Sequence, residues 1–191
     1  MEEHYIEDKT FDREDFSRYP LIKGEYENCS FIACDFSDVD LSDVVFFECA
    51  FIHCNLSLVK LIKTSLRDVT FKDCKMLGLR FEDCNEFGLS FSFDDCKLDH
   101  SSFYRKKLKK TIFTNSQLHE VDFTECDLTS AVFNTCDLKD AKFDNTVLEK
   151  ADLRTSFNYS INPEINRIKK ARFSISGLAG LLEKYDIEIE P

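Results

Sequence analysis

A large apolar residue recurs at every fifth position over most of this chain. One run of such residues extends from Phe31 to Phe81, and a second run, displaced by two positions, extends from Leu98 to Leu153. A period of five fits neither the 3.6 residues of an α-helical turn nor the alternation of one long strand. Each group of five residues must therefore turn a corner, and four such groups close a square coil.

Stacked square coils should place residues twenty apart about 4.8 Å from each other, as neighbouring strands are. The sequence then predicts columns of like side chains along the coil axis. These columns are Phe31, Phe51 and Phe71; Phe103, Phe123 and Phe143; Leu98, Leu118 and Leu138; and Leu108, Leu128 and Leu148.

The two runs are out of step by two residues, which indicates that one coil is two residues longer than the others. We place the extra residues in a bulge near 86–93, where Glu86 breaks the period. Gly88 can take a backbone conformation there that other residues avoid. Two interpretations of the bulge stay open, an insertion without a role and a functional loop.

A small residue precedes most of the large ones by two positions, and Lys106 departs from this rule. All nine cysteines occupy this inward position, with Cys34, Cys54 and Cys74 in one column. We interpret them as small packing residues, because buried free cysteine behaves as a small hydrophobe. The histidines fall outside the inward positions wherever the register is defined. The sequence therefore predicts neither a metal site nor a cofactor.

No motif typical of catalysis is evident, since the chain lacks a glycine-rich phosphate loop and a recognisable nucleophile elbow. A convex prism also offers little cleft in which a carboxylate could acquire an altered pKa. We therefore expect no enzymatic activity.

The repeat region is predicted to cover residues 1–173, with a degenerate first coil at 1–28 and an irregular last coil at 156–173. Residues 174–191 follow a different pattern. Leu178, Leu181, Leu182 and Tyr185 share one helical face, and Ser176 is a candidate N-cap. Ile187 and Ile189 then alternate with acids, which suggests a brief strand. The helix should cover the apolar end of the coil stack.

The formal net charge of −11 disfavours nucleic acid and anionic membranes as direct partners. No apolar run is long enough to span a membrane and no secretion signal is evident, so a cytoplasmic location is expected. Acids directly before the central residue should hydrogen-bond the turn backbone. The other outward acids are candidates for binding a protein partner: Glu48, Asp68, Asp83, Glu120, Glu125, Asp140 and Asp144.

The repeated unit is small, polar, Leu or Phe, polar, polar, as in Cys126–Ser130 and Ala151–Thr155. Over roughly four fifths of its length the chain resembles the pentapeptide-repeat family, and the unit itself carries the resemblance. The resemblance implies an all-β solenoid, a right-handed quadrilateral β-helix with a short C-terminal helix. It also implies an end-to-end homodimer through Leu178, Leu181, Leu182 and Tyr185.

Within the family, the acidic square helix and the ending after Phe173 are most similar to the Qnr-like group. That resemblance implies an imitation of B-DNA, binding to DNA gyrase or topoisomerase IV, and an effect on quinolone sensitivity. The projecting loops of the quinolone-protecting members are not evident, and the net charge is about half that of a DNA duplex of this length. A scaffold or interaction module for another protein is the alternative.

Overall fold

The computed structural model describes residues 4–188, in which the chain winds as a parallel β-solenoid. Two parallel sheets run along it, one ordered β1-β3-β5-β7 and the other β11-β10-β9-β8-β6-β4-β2. The strands are β1 His4–Glu7, β2 Thr10–Asp12, β3 Gly24–Glu27, β4 Ser30–Ile32, β5 Val45–Phe47, β6 Ala50–Ile52, β7 Ser65–Arg67, β8 Val69–Lys72, β9 Phe91–Asp94, β10 Ile112–Thr114 and β11 Val132–Asn134. One α-helix, α1 Ala179–Leu182, follows, with 3-10 turns at Phe81–Asp83 and Glu183–Tyr185.

The strand pairing confirms the register of twenty. Phe31 lies opposite Phe51, and Phe51 lies opposite Phe71. Across the bulge the interval becomes twenty-two, since Phe71 lies opposite Phe93. The predicted long coil is therefore correct.

Each coil has four faces, which we number by their central inward residues. Face 1 contains Phe31, face 2 Phe36, face 3 Leu41 and face 4 Phe46, and each face recurs at the intervals just described. The faces follow one another around the coil in chain order. Outward charges can therefore be assigned to a face from their position in the repeat.

Phenylalanine rings stack along the interior of face 1. The centroids of successive rings lie 4.7 to 5.3 Å apart and the rings are nearly parallel. Edge-to-face contacts join this stack to the neighbouring face, as between Phe31 and Phe36, and to the opposite face, as between Phe113 and Phe123. Aromatic pairs of both kinds add to the stabilisation from burial. The stack contains Phe11, Phe31, Phe51, Phe71, Phe93, Phe113 and Phe133.

The corners are made by residues with a left-handed backbone rather than by glycine or proline. Glu48 has φ +52° and His53 has φ +55°, a conformation that costs an ordinary residue about 1–2 kcal/mol. Most corner amides donate a hydrogen bond to the next coil, as Glu48 does to the Arg67 carbonyl and His53 to the Lys72 carbonyl, both at 2.9 Å. These bonds offset the cost of the corner. They explain how a chain with five glycines and three prolines turns so often.

The bulge is a loop at 86–89. After the loop the chain pairs again with the preceding coil, where the Ser90 amide donates a hydrogen bond to the Leu66 carbonyl. Gly88 has φ +70° there, as its position predicts. The Phe87 side chain is 75% exposed, and the Arg67 guanidinium lies 5.2 Å from its ring centroid. Inside the coil, Phe91 is buried at a position where other coils have a small residue. Its ring packs against those of Phe81, Phe93 and Phe103.

Lys106, the departure from the small-residue rule, is buried beside the loop with 4% exposure. Its Nζ donates to the Cys84 carbonyl at 3.0 Å and lies 3.5 Å from the Glu86 carboxylate. A long side chain is accommodated at this position because its Nζ reaches polar partners beside the loop, the Cys84 carbonyl and the Glu86 carboxylate. Lys106 therefore ties the loop to the coil that follows.

The C-terminal helix differs from the sequence prediction. Ser176 is not its N-cap, since α1 begins after Leu178 without a side-chain cap, and Ser174 Oγ accepts the Gly177 amide instead. Gly177 and Gly180 lie against Tyr159 so closely that a Cβ on either would clash. The helix thus packs through glycines, which a search for apolar spacing overlooks. Residues 186–188 form no strand, and Ile189 lies outside the described residues.

Removing one ring from the stack should open a cavity. Phe113→Ala should lower the free energy of unfolding by about 3–5 kcal/mol, since Phe113 is fully buried between Phe93 and Phe133. Ile112→Ala is the matched control on the same strand, because Ile112 points outward and is 48% exposed. Denaturant unfolding followed by circular dichroism measures both, and equal losses would contradict the inward stack.

The buried lysine can be tested against its exposed neighbour. Lys106→Met keeps the volume but leaves the Cys84 carbonyl without its donor, and should lower the free energy of unfolding by about 1–3 kcal/mol. Lys107→Met changes the same residue type at an exposed position and should have an effect within about 0.5 kcal/mol. Denaturant unfolding measures this free energy for both variants. A Lys106→Met protein as stable as the wild-type protein would exclude an anchoring role for Lys106.

Candidate functional site

The cysteines belong to the core. All nine are buried and reduced, and eight of the thiols donate to backbone carbonyls, as Cys54 does to Phe31 at 3.2 Å. Burial raises the pKa of Cys49 and of Cys126 to about 12 in each case, so these thiols stay protonated and unreactive. The packing role predicted from their spacing is confirmed.

The histidines lie outward, as their positions predict, and each of three faces an acid. His53 Nδ1 lies 3.5 Å from Asp73 and His100 Nδ1 lies 3.3 Å from Glu120. His119 Nε2 lies 2.8 Å from Asp137. Within residues 4–188 no three histidine, cysteine or acidic side chains converge as metal ligands.

Acids directly before a central residue hold the turns together. Asp35 and Asp40 each accept the amide two residues later at 2.9 Å, and Asp122 does so at 2.8 Å. The hydrogen bond from Ser42 lowers the pKa of Asp40, and the Arg154 guanidinium lowers that of Asp152. The local role predicted for these acids is confirmed for the whole set: Asp35, Asp40, Asp122, Asp127, Asp137 and Asp152.

Four of the candidate partner-binding acids lie together on face 3. Glu120 and Asp140 occupy its corner with face 2, and Glu125 occupies its corner with face 4. Asp144 lies between these corners, and its carbonyl accepts the Glu125 amide from the preceding coil at 2.8 Å. This group, which we call the face-3 acids, spans two neighbouring coils and forms a compact acidic surface.

Cations on the same face interrupt that surface. Arg105 binds Glu125 with Nε 2.8 Å from the carboxylate, and this pairing lowers the pKa of Glu125. Lys142 pairs in the ladder with Asp122 between the two corners. Face 3 is therefore acidic but not uniformly so.

The other three candidate acids lie elsewhere. Glu48 and Asp68 are one coil apart on the corner between faces 4 and 1, and Asp68 accepts a hydrogen bond from Ser90 beside the loop. Asp83 is on the corner between faces 3 and 4, with Arg80 Nε at 3.3 Å. The seven acids do not form one surface.

The candidate dimerisation residues lie at the end of the solenoid. Leu181 packs against the core, while Leu178 and Tyr185 are about half exposed. The Tyr185 hydroxyl donates to Glu164 at 2.8 Å, so this side chain is tied to the last coil. Leu181 is therefore occupied by packing within the chain, whereas Leu178 and Tyr185 are partly accessible.

Face 4 carries a pattern that reading the charges along the chain does not reveal. Its outward charged residues are mostly acidic before the loop and mostly basic after it, as Glu25 and Glu27 contrast with Lys169 and Lys170. Sorting the outward charges by their position in the repeat would have revealed this pattern.

Comparison with known proteins agrees with this geometry. The family model described as "Pentapeptide repeat region" matches residues 24–92 and 86–156. The chain belongs to the pentapeptide-repeat family. The predicted right-handed quadrilateral β-helix with a short C-terminal helix is thus confirmed.

Solved structures of other pentapeptide-repeat proteins share the fold. A trypsin-treated variant of QnrB1, a plasmid-mediated fluoroquinolone resistance protein, matches with a TM-score of 0.61 at 15% identity, covering 98% of each chain. HetL, involved in heterocyst differentiation regulation in the cyanobacterium Nostoc sp. strain PCC 7120, matches with a TM-score of 0.56 at 14% identity, covering 90% of this chain and 88% of HetL.

No curated protein matches the sequence. Among the described residues, no helix has the length and apolar character needed to cross a membrane.

Proposed function

We propose that this pentapeptide-repeat protein is a non-enzymatic binding module that acts in the cytoplasm on a protein partner. The strongest support for a binding role is that the inward residues and the turn acids already have structural roles. Inward residues are occupied by packing, and the acids before them by turn hydrogen bonds. The exposed corner and flanking side chains are left to contact a partner.

The face-3 acids are the proposed contact surface. Asp140 and Asp144 are exposed, and Glu120 is exposed beside His100. A compact group of carboxylates favours a partner with a basic surface, since complementary charge speeds association and excludes wrong partners. Glu48, Asp68 and Asp83 lie on other corners and contribute to binding only if the partner wraps the solenoid.

DNA mimicry is the second candidate function. The fold shared with QnrB1 and the face-3 acids favour binding to DNA gyrase or topoisomerase IV, with an effect on quinolone sensitivity. The cations weigh against it, because B-DNA has about one negative charge per 1.7 Å of its axis. Arg105 and Lys142 interrupt face 3, and half of face 4 is basic. A scaffold for another protein therefore ranks first.

Both candidates can be separated with one set of variants. The quadruple variant Glu120→Gln, Glu125→Gln, Asp140→Asn and Asp144→Asn neutralises the face-3 acids while keeping their size. The immobilised wild-type protein should retain a partner from lysate at least about tenfold better than this variant. Glu48→Gln with Asp68→Asn is the control, since these acids lie on another corner.

A supercoiling assay with purified gyrase, with and without a quinolone, completes the test. The scaffold proposal expects no effect of the wild-type protein on supercoiling. An effect that the quadruple variant loses would favour DNA mimicry instead. Equal retention of the partner by the quadruple variant and the wild-type protein would contradict the assignment to face 3.

An end-to-end homodimer through α1 and its flanks remains a proposal as well. Leu178, Leu182 and Tyr185 would supply the contact, since Leu181 already packs against the last coil.

A further inference from the structure

Face 4 is polarised along the solenoid axis. Its exposed or half-buried charged side chains before the loop are all acidic except Arg67 next to the loop. After the loop, cations outnumber the two half-buried acids Asp127 and Glu149. The acids are Glu7, Asp8, Glu25, Glu27, Glu48 and Asp68, and the cations are Lys107, Lys109, Lys110, Lys150, Arg167, Lys169 and Lys170.

These residues lie in three straight columns, two along the face and one along its corner with face 1. Glu7 and Glu27 are paired in the sheet formed by β1, β3, β5 and β7, and Lys107 and Arg167 are ends of one bridge column. Along the neighbouring corner, Asp8, Glu48 and Asp68 precede the loop, whereas Lys110, Lys150 and Lys170 follow it. The polarity therefore appears twice, once along the face and once along its edge.

Most of these charges lack a local counterion. Lys109 pairs with Asp127 at 3.2 Å and Arg167 with Glu149 at 2.6 Å. Within residues 4–188, none of the six acids and none of the other five cations takes part in an ion pair between side chains on this solenoid. The two halves of face 4 are thus available to an outside partner of opposite charge.

The loop lies midway between the two halves. Four coils precede it on face 4, with central residues Ile6, Tyr26, Phe46 and Leu66, and four follow it, with Leu108, Leu128, Leu148 and Ile168. At this midpoint the exposed Phe87 ring lies under the Arg67 guanidinium.

We propose that face 4 binds a second copy of this chain side by side and antiparallel, about a two-fold axis through the loop. An isologous interface brings the same surface of both copies together, so a polarised face is complementary to itself when one copy is reversed. The acids of the first coils, Glu7 and Asp8, then meet Lys169 and Lys170 of the second copy. A parallel alignment would place like charges opposite each other.

Near the axis opposite charges meet at Asp68, while Arg67 of the same coil lies against the Phe87 ring. Asp68, in the last coil before the loop, meets Lys107 and Lys110, in the first complete coil after it. Phe87 meets Phe87 of the second copy, which would cover an aromatic ring that is otherwise exposed to water. This interface is distinct from the end-to-end contact through α1, and both can exist in one protein.

Two charge-reversed variants test the antiparallel arrangement. Lys169→Glu with Lys170→Glu makes both ends of face 4 acidic, and Glu7→Lys with Asp8→Lys makes both ends basic. Either variant alone should associate at least about tenfold more weakly than the wild-type protein in sedimentation at about 0.05 M salt. An equimolar mixture of the two should regain association, because each end then meets its opposite.

Lys97→Glu with Lys139→Glu is the matched control, since it makes the same change in net charge on face 2. It should associate as the wild-type protein does. Association of the wild-type protein should weaken at least about tenfold between about 0.05 M and about 0.5 M salt. If a double variant fails to fold, the single variants Lys170→Glu and Asp8→Lys are measured alone and as an equimolar mixture in place of the two double variants.

Several results would overturn the proposal. One is a wild-type protein that remains monomeric at low salt, and another is a mixture that associates no better than its components. Association that Leu178→Glu abolishes and the face-4 reversals leave unchanged would assign self-association to α1 alone. Binding of a DNA duplex that Lys169→Glu with Lys170→Glu abolishes, without self-association, would make the basic half a polyanion site instead.

Discussion

The hydrogen bond that most corner amides donate to the next coil is the interaction on which the rest of this structure depends. Corner residues such as Glu48 and His53 adopt a left-handed backbone, which costs free energy unless a bond in the folded state offsets it. The bond exists only when a coil of the right length follows. The corners and the register of twenty therefore require each other, and the inward columns and outward charges follow from that register.

The sequence was sufficient to predict the inward half of this structure. Phe31, Phe51 and Phe71 repeat at a fixed interval because each must fill the same position in its coil, and packing leaves little choice there. The turn role of Asp35 was predictable for a similar reason, since the side chain bonds an amide two residues away. Constraints of this kind act within one repeat, so they determine which residue types occur at its positions.

Features that depend on distant residues were harder to predict. Gly177 and Gly180 pack against Tyr159, a contact that hydrophobic spacing on a helix does not reveal. Lys106 departs from the repeat, and its burial is explained only by the hydrogen bond that its Nζ donates to the Cys84 carbonyl beside the loop at 86–89. The acids of face 3 are close together along the chain, whereas the polarity of face 4 depends on residues that lie in different coils.

Amide hydrogen exchange tests the central claim most directly, because corner amides would exchange quickly if they were ordinary surface loops. The structure predicts that the amides of Glu48, His53 and Asn115, each bonded to the next coil, exchange at least about a hundredfold more slowly than unprotected amides. Gly88 in the loop should exchange much faster. Corner amides that exchange as fast as Gly88 would contradict the account.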